Sequence, residues 1–258
     1  SGQSANYLSN VGEIENKGIE LSLGLQLVDT KDWNVRLNAS YNTNHNKVLS
    51  IGNAVPFAIG GFSSRTVQTV VAEGEPVGFI RGYKAVLNPD NSLKEILPLQ
   101  NLGSTLPTAY GNFSLSVSYK NLSFMLSGDY QYGAYVHSFD RQFRFSKGLK
   151  DDAIPEKALE GLDQGANWLN FTNFFVEKSD FLKIRNIGIA YDYKPKKYLK
   201  SVNLAFNVYN PFAFTASSVD PEAALAGARS QGAVAVGGLN YSSYSTPRQY
   251  VGTIRVSF

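Results

Sequence analysis

The sequence predicts an all-β chain and, more narrowly, an antiparallel transmembrane β-barrel. Three observations carry this. Apolar and polar residues alternate with period two through segments of roughly ten residues, the length a tilted strand needs to cross a bilayer core. The chain holds 15 Tyr and 16 Phe against one Met, together with 23 Gly, which suits strands and turns over helices. Short turns also alternate with long aperiodic stretches, as the two ends of bacterial outer-membrane barrels do.

The chain opens on SGQSANYLSN, with neither an initiator Met nor the basic-then-apolar pattern of a secretion signal, so a removed signal or a fragment is expected. Residues 17–28 form the first strand, with Ile19, Leu21, Leu23, Leu25 and Leu27 on one face and Glu20, Ser22, Gly24 and Gln26 on the other. The turn DTKD leads to Trp33, Val35, Leu37, Ala39 and Tyr41, which alternate with Asn34, Arg36, Asn38, Ser40 and Asn42. Trp33 and Tyr41 stand near the ends of this strand, where aromatic girdles belong.

A loop at residues 46–63 follows. Residues 65–72 and 76–87 read as a strand pair, although either face of the second would carry a charge, Arg81 or Lys84. A second loop, 88–107, precedes Phe113, Leu115, Val117 and Tyr119, which alternate with Asn112, Ser114, Ser116 and Ser118. After the Lys120-Asn121 turn, Leu122, Phe124, Leu126, Tyr130, Tyr132 and Val136 alternate with Ser123, Ser127, Asp129, Gln131 and His137.

Residues 138–179 lose all periodicity, a length suited to an extracellular barrel loop. Strands resume with Ile187, Ile189, Tyr191 and Tyr193, and then with Val202, Leu204, Phe206 and Val208. A loop at 215–245 precedes the last strand, TPRQYVGTIRVSF, in which Tyr250, Gly252, Ile254, Val256 and Phe258 share one face. The count is about nine strands. With the C-terminus on the periplasmic side, an odd set that begins outside lacks its first strands, since single-chain barrels normally have an even number.

Other classes are excluded by composition. A net charge of +3 without a basic, aromatic-interleaved run gives no footing for nucleic acid. The absence of cysteine removes disulfides and thiolate metal sites. His45 and His137 stand alone at strand ends, so no metal site and no cofactor are expected.

Asp151, Asp152 and Glu156 cluster, but nothing in the pattern holds them as the facing acids of a glycosidase, and no enzyme is expected. Trp168, Phe171, Tyr241 and Tyr244 lie in the long loops, where rings could stack on sugars or peptide side chains; packing among the loops is the competing role. Lys194, Lys196, Lys197 and Lys200 crowd one turn, solvated or touching lipid head groups.

Five phrases together resemble one family: NVGEIENKGIELSL (residues 10–23), GEPVGFIRGYK (74–84), TAYGNFSLSVSYKNLSFMLSGDYQYG (108–133), FFVEKSDFLKIRNIGIAY (174–191) and DPE (220–222). Their order and spacing are similar to the C-terminal barrel of SusC/RagA-type TonB-dependent transporters of the bacterial outer membrane. The resemblance implies a barrel of about 22 strands, of which residues 1–258 would be the last nine or so. It implies TonB-powered uptake of a nutrient such as an oligosaccharide or peptide, with a SusD-like surface lipoprotein as lid. The plug domain and TonB box it implies are absent from this chain.

Tyr250, Ile254, Val256 and Phe258 resemble the signal by which the barrel-assembly machinery inserts such proteins, with an inner-girdle role as the alternative. Between the GYK and YKN phrases many relatives carry a calcium-like DxNGDG stretch, whereas AVLNPDNSLKEILPLQNLGSTLP here lacks that spacing. Lys183 stands where relatives often have Arg. The rivals are a structural or secretion-associated barrel subunit without an import role, and a soluble β-sandwich or adhesin.

Overall fold

The structure, a computed structural model, describes residues 12–61, 67–195, 199–220, 222, 237–241 and 244–258. In chain order its strands begin with β1 (Glu13–Lys17), β2 (Glu20–Asp29), β3 (Trp33–Thr43), β4 (His45–Ser50), β5 (Phe57–Gly61) and β6 (Gln68–Val71). There follow β7 (Phe79–Leu87), β8 (Leu93–Gly103), β9 (Ala109–Tyr119), β10 (Leu122–Tyr132) and β11 (Tyr135–Ser138). Helices α1 (Phe139–Ser146) and α2 (Gln164–Asn167) intervene before β12 (Val176–Lys178), β13 (Phe181–Tyr193), β14 (Ser201–Thr215), β15 (Leu239–Asn240) and β16 (Gln249–Ser257).

Seven of these strands make one antiparallel wall in the order β16-β14-β13-β10-β9-β3-β2. Its register follows from the alternation in the sequence. Leu25, Leu37, Leu115, Leu126, Ile187, Val208 and Tyr250 are successive cross-strand partners, so one apolar row crosses the whole sheet. The neighbouring row on the opposite face reads Gly24, Asn38, Ser114, Ser127, Asn186, Tyr209 and Gln249. Since a one-residue slip would exchange these faces, the contrast pins the register. A bulge between Gln26 and Val28 displaces Leu27 from the row that its place in the sequence suggested.

No described residue covers the apolar face. Leu21, Leu23, Ile189, Phe206, Phe214 and Ile254 are all exposed, a patch far larger than a water-soluble surface carries. Aromatics frame it. Trp33 packs on Tyr119 with ring centroids 4.4 Å apart, and that register level continues through Leu122 to Tyr191. The short connections 30–32, 120–121 and 194–200 share this end of the wall with Ser257, the partner of Ser201. The long connections 44–108, 133–180 and 216–248 all leave from the other end.

The strands read at 65–72 and 76–87 exist as β6 and β7, but they lie in a separate sheet of order β5-β6-β7-β8, outside the wall. The charges on both faces explain why: Arg81 Nη2 donates to Gln68 Oε1 at 2.8 Å on β6, a pairing that a lipid-facing strand could not offer. Three intervals read as loops also need correction. Residues 46–63 contain the end of β4 and all of β5, and 88–107 contain β8, whose alternation is broken by Pro98 and by Leu99 at φ 53°.

Residues 138–179 fold as a small helical cap, with 3₁₀ turns at Glu156–Leu159 and Trp168–Phe175 beside α1 and α2. The cap has its own core, in which Phe145, Phe171 and Phe175 are fully buried with Ala85 of β7. Asn173 fastens it to that strand by accepting from Ala85 N at 2.9 Å and donating to Ala85 O at 3.3 Å. Most of 215–245 lies outside the described residues; β15 is within it and runs parallel to β11.

Candidate functional site

The polar face of the wall becomes concave toward the long-loop end. Asn42 of β3, Tyr110 and Asn112 of β9, and Asp129 and Gln131 of β10 fall on this face because they share the parity of the serines. With Asn44, residues 105–107, Ser179, Phe181, Glu222 and Gly238 they border a cavity of about 620 Å³. None of the described residues lining it is Lys, Arg or His.

Behind the cavity lies an ion network. Lys183 on β13 is only 5% exposed and donates to Asp220 at 2.6 Å and to Glu222 at 2.5 Å. Arg185, two residues on, grips Asp129 through both carboxylate oxygens, one bond measuring 2.8 Å, and also reaches Glu222. The pairs span 37 to 56 residues of sequence, so the network ties the segment after β14 to the wall.

Burial alone would raise the Asp220 and Glu222 carboxyls. The hydrogen bonds from Lys183, joined at Glu222 by Arg185, outweigh burial and hold both below the ordinary carboxylate range. Their stabilisation is therefore present above about pH 4 and fades only as pH falls through the lowered values. Pro221 lies outside the described residues.

Among the rings singled out from sequence, Phe171 is wholly enclosed between Phe145 and Phe174, so its face meets cap residues and no solvent. Trp168 and Tyr241 converge on Phe139, at centroid distances of 6.4 and 4.7 Å, while Tyr244 is 97% exposed. Tyr250, Ile254, Val256 and Phe258 all stand exposed, the first three in register with Val208, Leu204 and Val202 of the apolar face. Lys196 and Lys197 lie outside the described residues.

The acids at 151–156 do not face one another as a pair. Asp151 is bound by Arg141, which also holds Glu177, while exposed Glu156 pairs with Lys150.

His137 is fully buried in the cap, and burial pushes its pKa down to about 4. Gln142 spends its Nε2 on Thr172 Oγ1 at 2.9 Å and presents Oε1 to His137 Nε2 at 2.6 Å, which assigns the proton to Nε2. A histidine whose folded pKa is depressed from 6.5 adds stability above that value and loses it as pH falls toward 4. The protection factors of amides 135–142, taken relative to the intrinsic exchange rate at each pH, are therefore expected to fall about tenfold or more from pH 7 to pH 4.5, and His137→Gln is expected to flatten that dependence.

No family model matches the chain. It is 26% identical to TonB-dependent receptor P26 of Formosa agariphila, an alignment that takes in 97% of this chain and 30% of that receptor. It is 24% identical to TonB-dependent receptor P3 of the same organism over 98% of this chain and 30% of the receptor. Among solved structures it is similar to the RagAB peptide transporter, at TM-score 0.68 and 22% identity, over 96% of this chain and 30% of that one. The "closed-closed" state of the RagAB peptide importer gives TM-score 0.70 at 21% identity over the same shares.

The chain thus spans about 30% of the length of the proteins it matches. In sequence and in fold it is similar to one part of a SusC/RagA-like TonB-dependent receptor.

Proposed function

We propose that residues 1–258 form C-terminal barrel wall, lumen lining and mouth loops of a TonB-dependent outer-membrane importer. The observation that carries this is the continuous apolar row across seven strands, backed by a row of amides and hydroxyls. Such a sheet needs lipid on one side and water on the other. The kinship with TonB-dependent receptors supports TonB as the energy source, and the likeness to a peptide importer supports a peptide cargo, with an oligosaccharide as the other nutrient class this reading admits. The chain performs no chemistry on that cargo.

In this reading the long-loop end is extracellular and meets a SusD-like surface lipoprotein. Trp168 and Tyr241 around Phe139, together with Tyr244, offer ring faces there, while Phe171 serves the cap core. TonB acts through a plug carried elsewhere in the receptor. Tyr250, Ile254, Val256 and Phe258 present their exposed face to the barrel-assembly machinery and afterwards to lipid.

The test is uptake by cells carrying the whole receptor. It is expected to fractionate with the outer membrane, and its deletion to abolish uptake of a labelled peptide or oligosaccharide that also requires TonB. Unchanged uptake of every such cargo after deletion would favour a barrel without an import role.

A further inference from the structure

We infer that the cavity above β9 and β10 is a subsite for a peptide segment of neutral or positive charge, which rests on the import reading above. Its volume, about 620 Å³, lies inside the range of ligand pockets, roughly 300–1,000 Å³. The lining is rich in acceptors. Gln131 spends its Nε2 on Ser179, and Asn42 spends its Nδ2 on Tyr110 O, which leaves their carbonyl oxygens for incoming donors. Asn44 and Asn112 add amides that can pair with peptide groups in either direction.

The charge points the same way. Among the described lining residues Asp129 and Glu222 are the charged ones, and no described lining cation opposes them. Arg185 and Lys183 hold both carboxylates in place from behind, so neither can turn away from a ligand. Among the described residues three carboxylates, counting Asp220, share those two cations, an excess of one negative charge beside the cavity. A peptide N–H or a lysine ammonium is welcome there, and a glutamate side chain is repelled.

The experiment is calorimetric binding to the full receptor in detergent, using three capped alanine-based hexapeptides that carry paired Glu, no charge or paired Lys. The neutral and lysine peptides are expected to bind about tenfold or more tighter than the glutamate peptide. Asn112→Lys, on an exposed side chain, is expected to invert that order, whereas Asn34→Lys, on the same face near the short-turn end, is expected to leave it unchanged.

Binding indifferent to peptide charge, an order unchanged in Asn112→Lys, or a neutral oligosaccharide of equal length binding more tightly would overturn the subsite. If cells still import the peptides in any of those cases, the import reading stands without it. If no peptide binds or enters, the subsite falls, and the import reading falls with it where deletion of the receptor also leaves oligosaccharide uptake unchanged.

Discussion

Replacing Lys183 by methionine is expected to release residues 217–222 from the wall. The ammonium is buried between Asp220, nearly as deeply enclosed, and a Glu222 carboxylate that is about one-third exposed. Removing one partner of a buried ion pair typically costs about 3–5 kcal/mol, because the other charge stays desolvated. The partial exposure of Glu222 places the loss near the lower end, at about 3 kcal/mol.

Hydrogen exchange at 217–222 should then rise by about a hundredfold, while β9 and β10 keep their protection. Lys183→Arg, which retains the charge, should rescue most of it. Because both carboxyls are held below their ordinary values, wild-type protection should persist down to about pH 4 and fail only below that. Unchanged exchange in Lys183→Met would mean that the network does not hold the segment.

The second large effect concerns the wall. Leu115 stands mid-row between Leu37 and Leu126, and an Arg on the lipid face near the midplane of a barrel costs about 2–4 kcal/mol. Ser114, next along β9, points to the opposite face between Asn38 and Ser127, where water can solvate a charge. Denaturant unfolding of the receptor reconstituted in vesicles should therefore show Leu115→Arg destabilised by about 2–4 kcal/mol and Ser114→Arg by under about 1 kcal/mol. Equal penalties would contradict the division of this sheet into a lipid face and a water face.

The wall was legible because lipid imposes a strict two-residue period, which Leu21 through Leu25 and Phe113 through Tyr119 display without interruption. The sheet and cap at the long-loop end were not, since nothing there must face lipid. Arg81 can pair with Gln68 in that sheet, and β8 continues past Pro98 and the left-handed Leu99 where period-two reading stops.

Phe171 takes the packing role that competed with ligand stacking, in a core with Phe145 and Phe175 that periodicity could not reveal, because their spacing fits no strand and the helices that carry them are short. The ion network joins residues that are far apart in sequence, so alternation could not reveal it. Lys183 and the DPE stretch drew notice only through the family resemblance. The signal that could have paired them is the presence of two cations, Lys183 and Arg185, close together near the long-loop end of β13, where the strand itself offers no acid beside them.

The central claim is that the row through Leu115 and Leu126 faces lipid while Ser114 and Ser127 face water. These 258 residues contain no cysteine, so in a reconstituted receptor whose remaining residues are also cysteine-free, single cysteines at the four positions can each carry a small fluorophore. Quenching by brominated lipid chains should be strong at Leu115→Cys and Leu126→Cys and weak at Ser114→Cys and Ser127→Cys, with the reverse pattern for iodide from the water phase. Uniform quenching along β9 and β10, or stronger lipid quenching at the serine positions, would contradict the barrel-wall account.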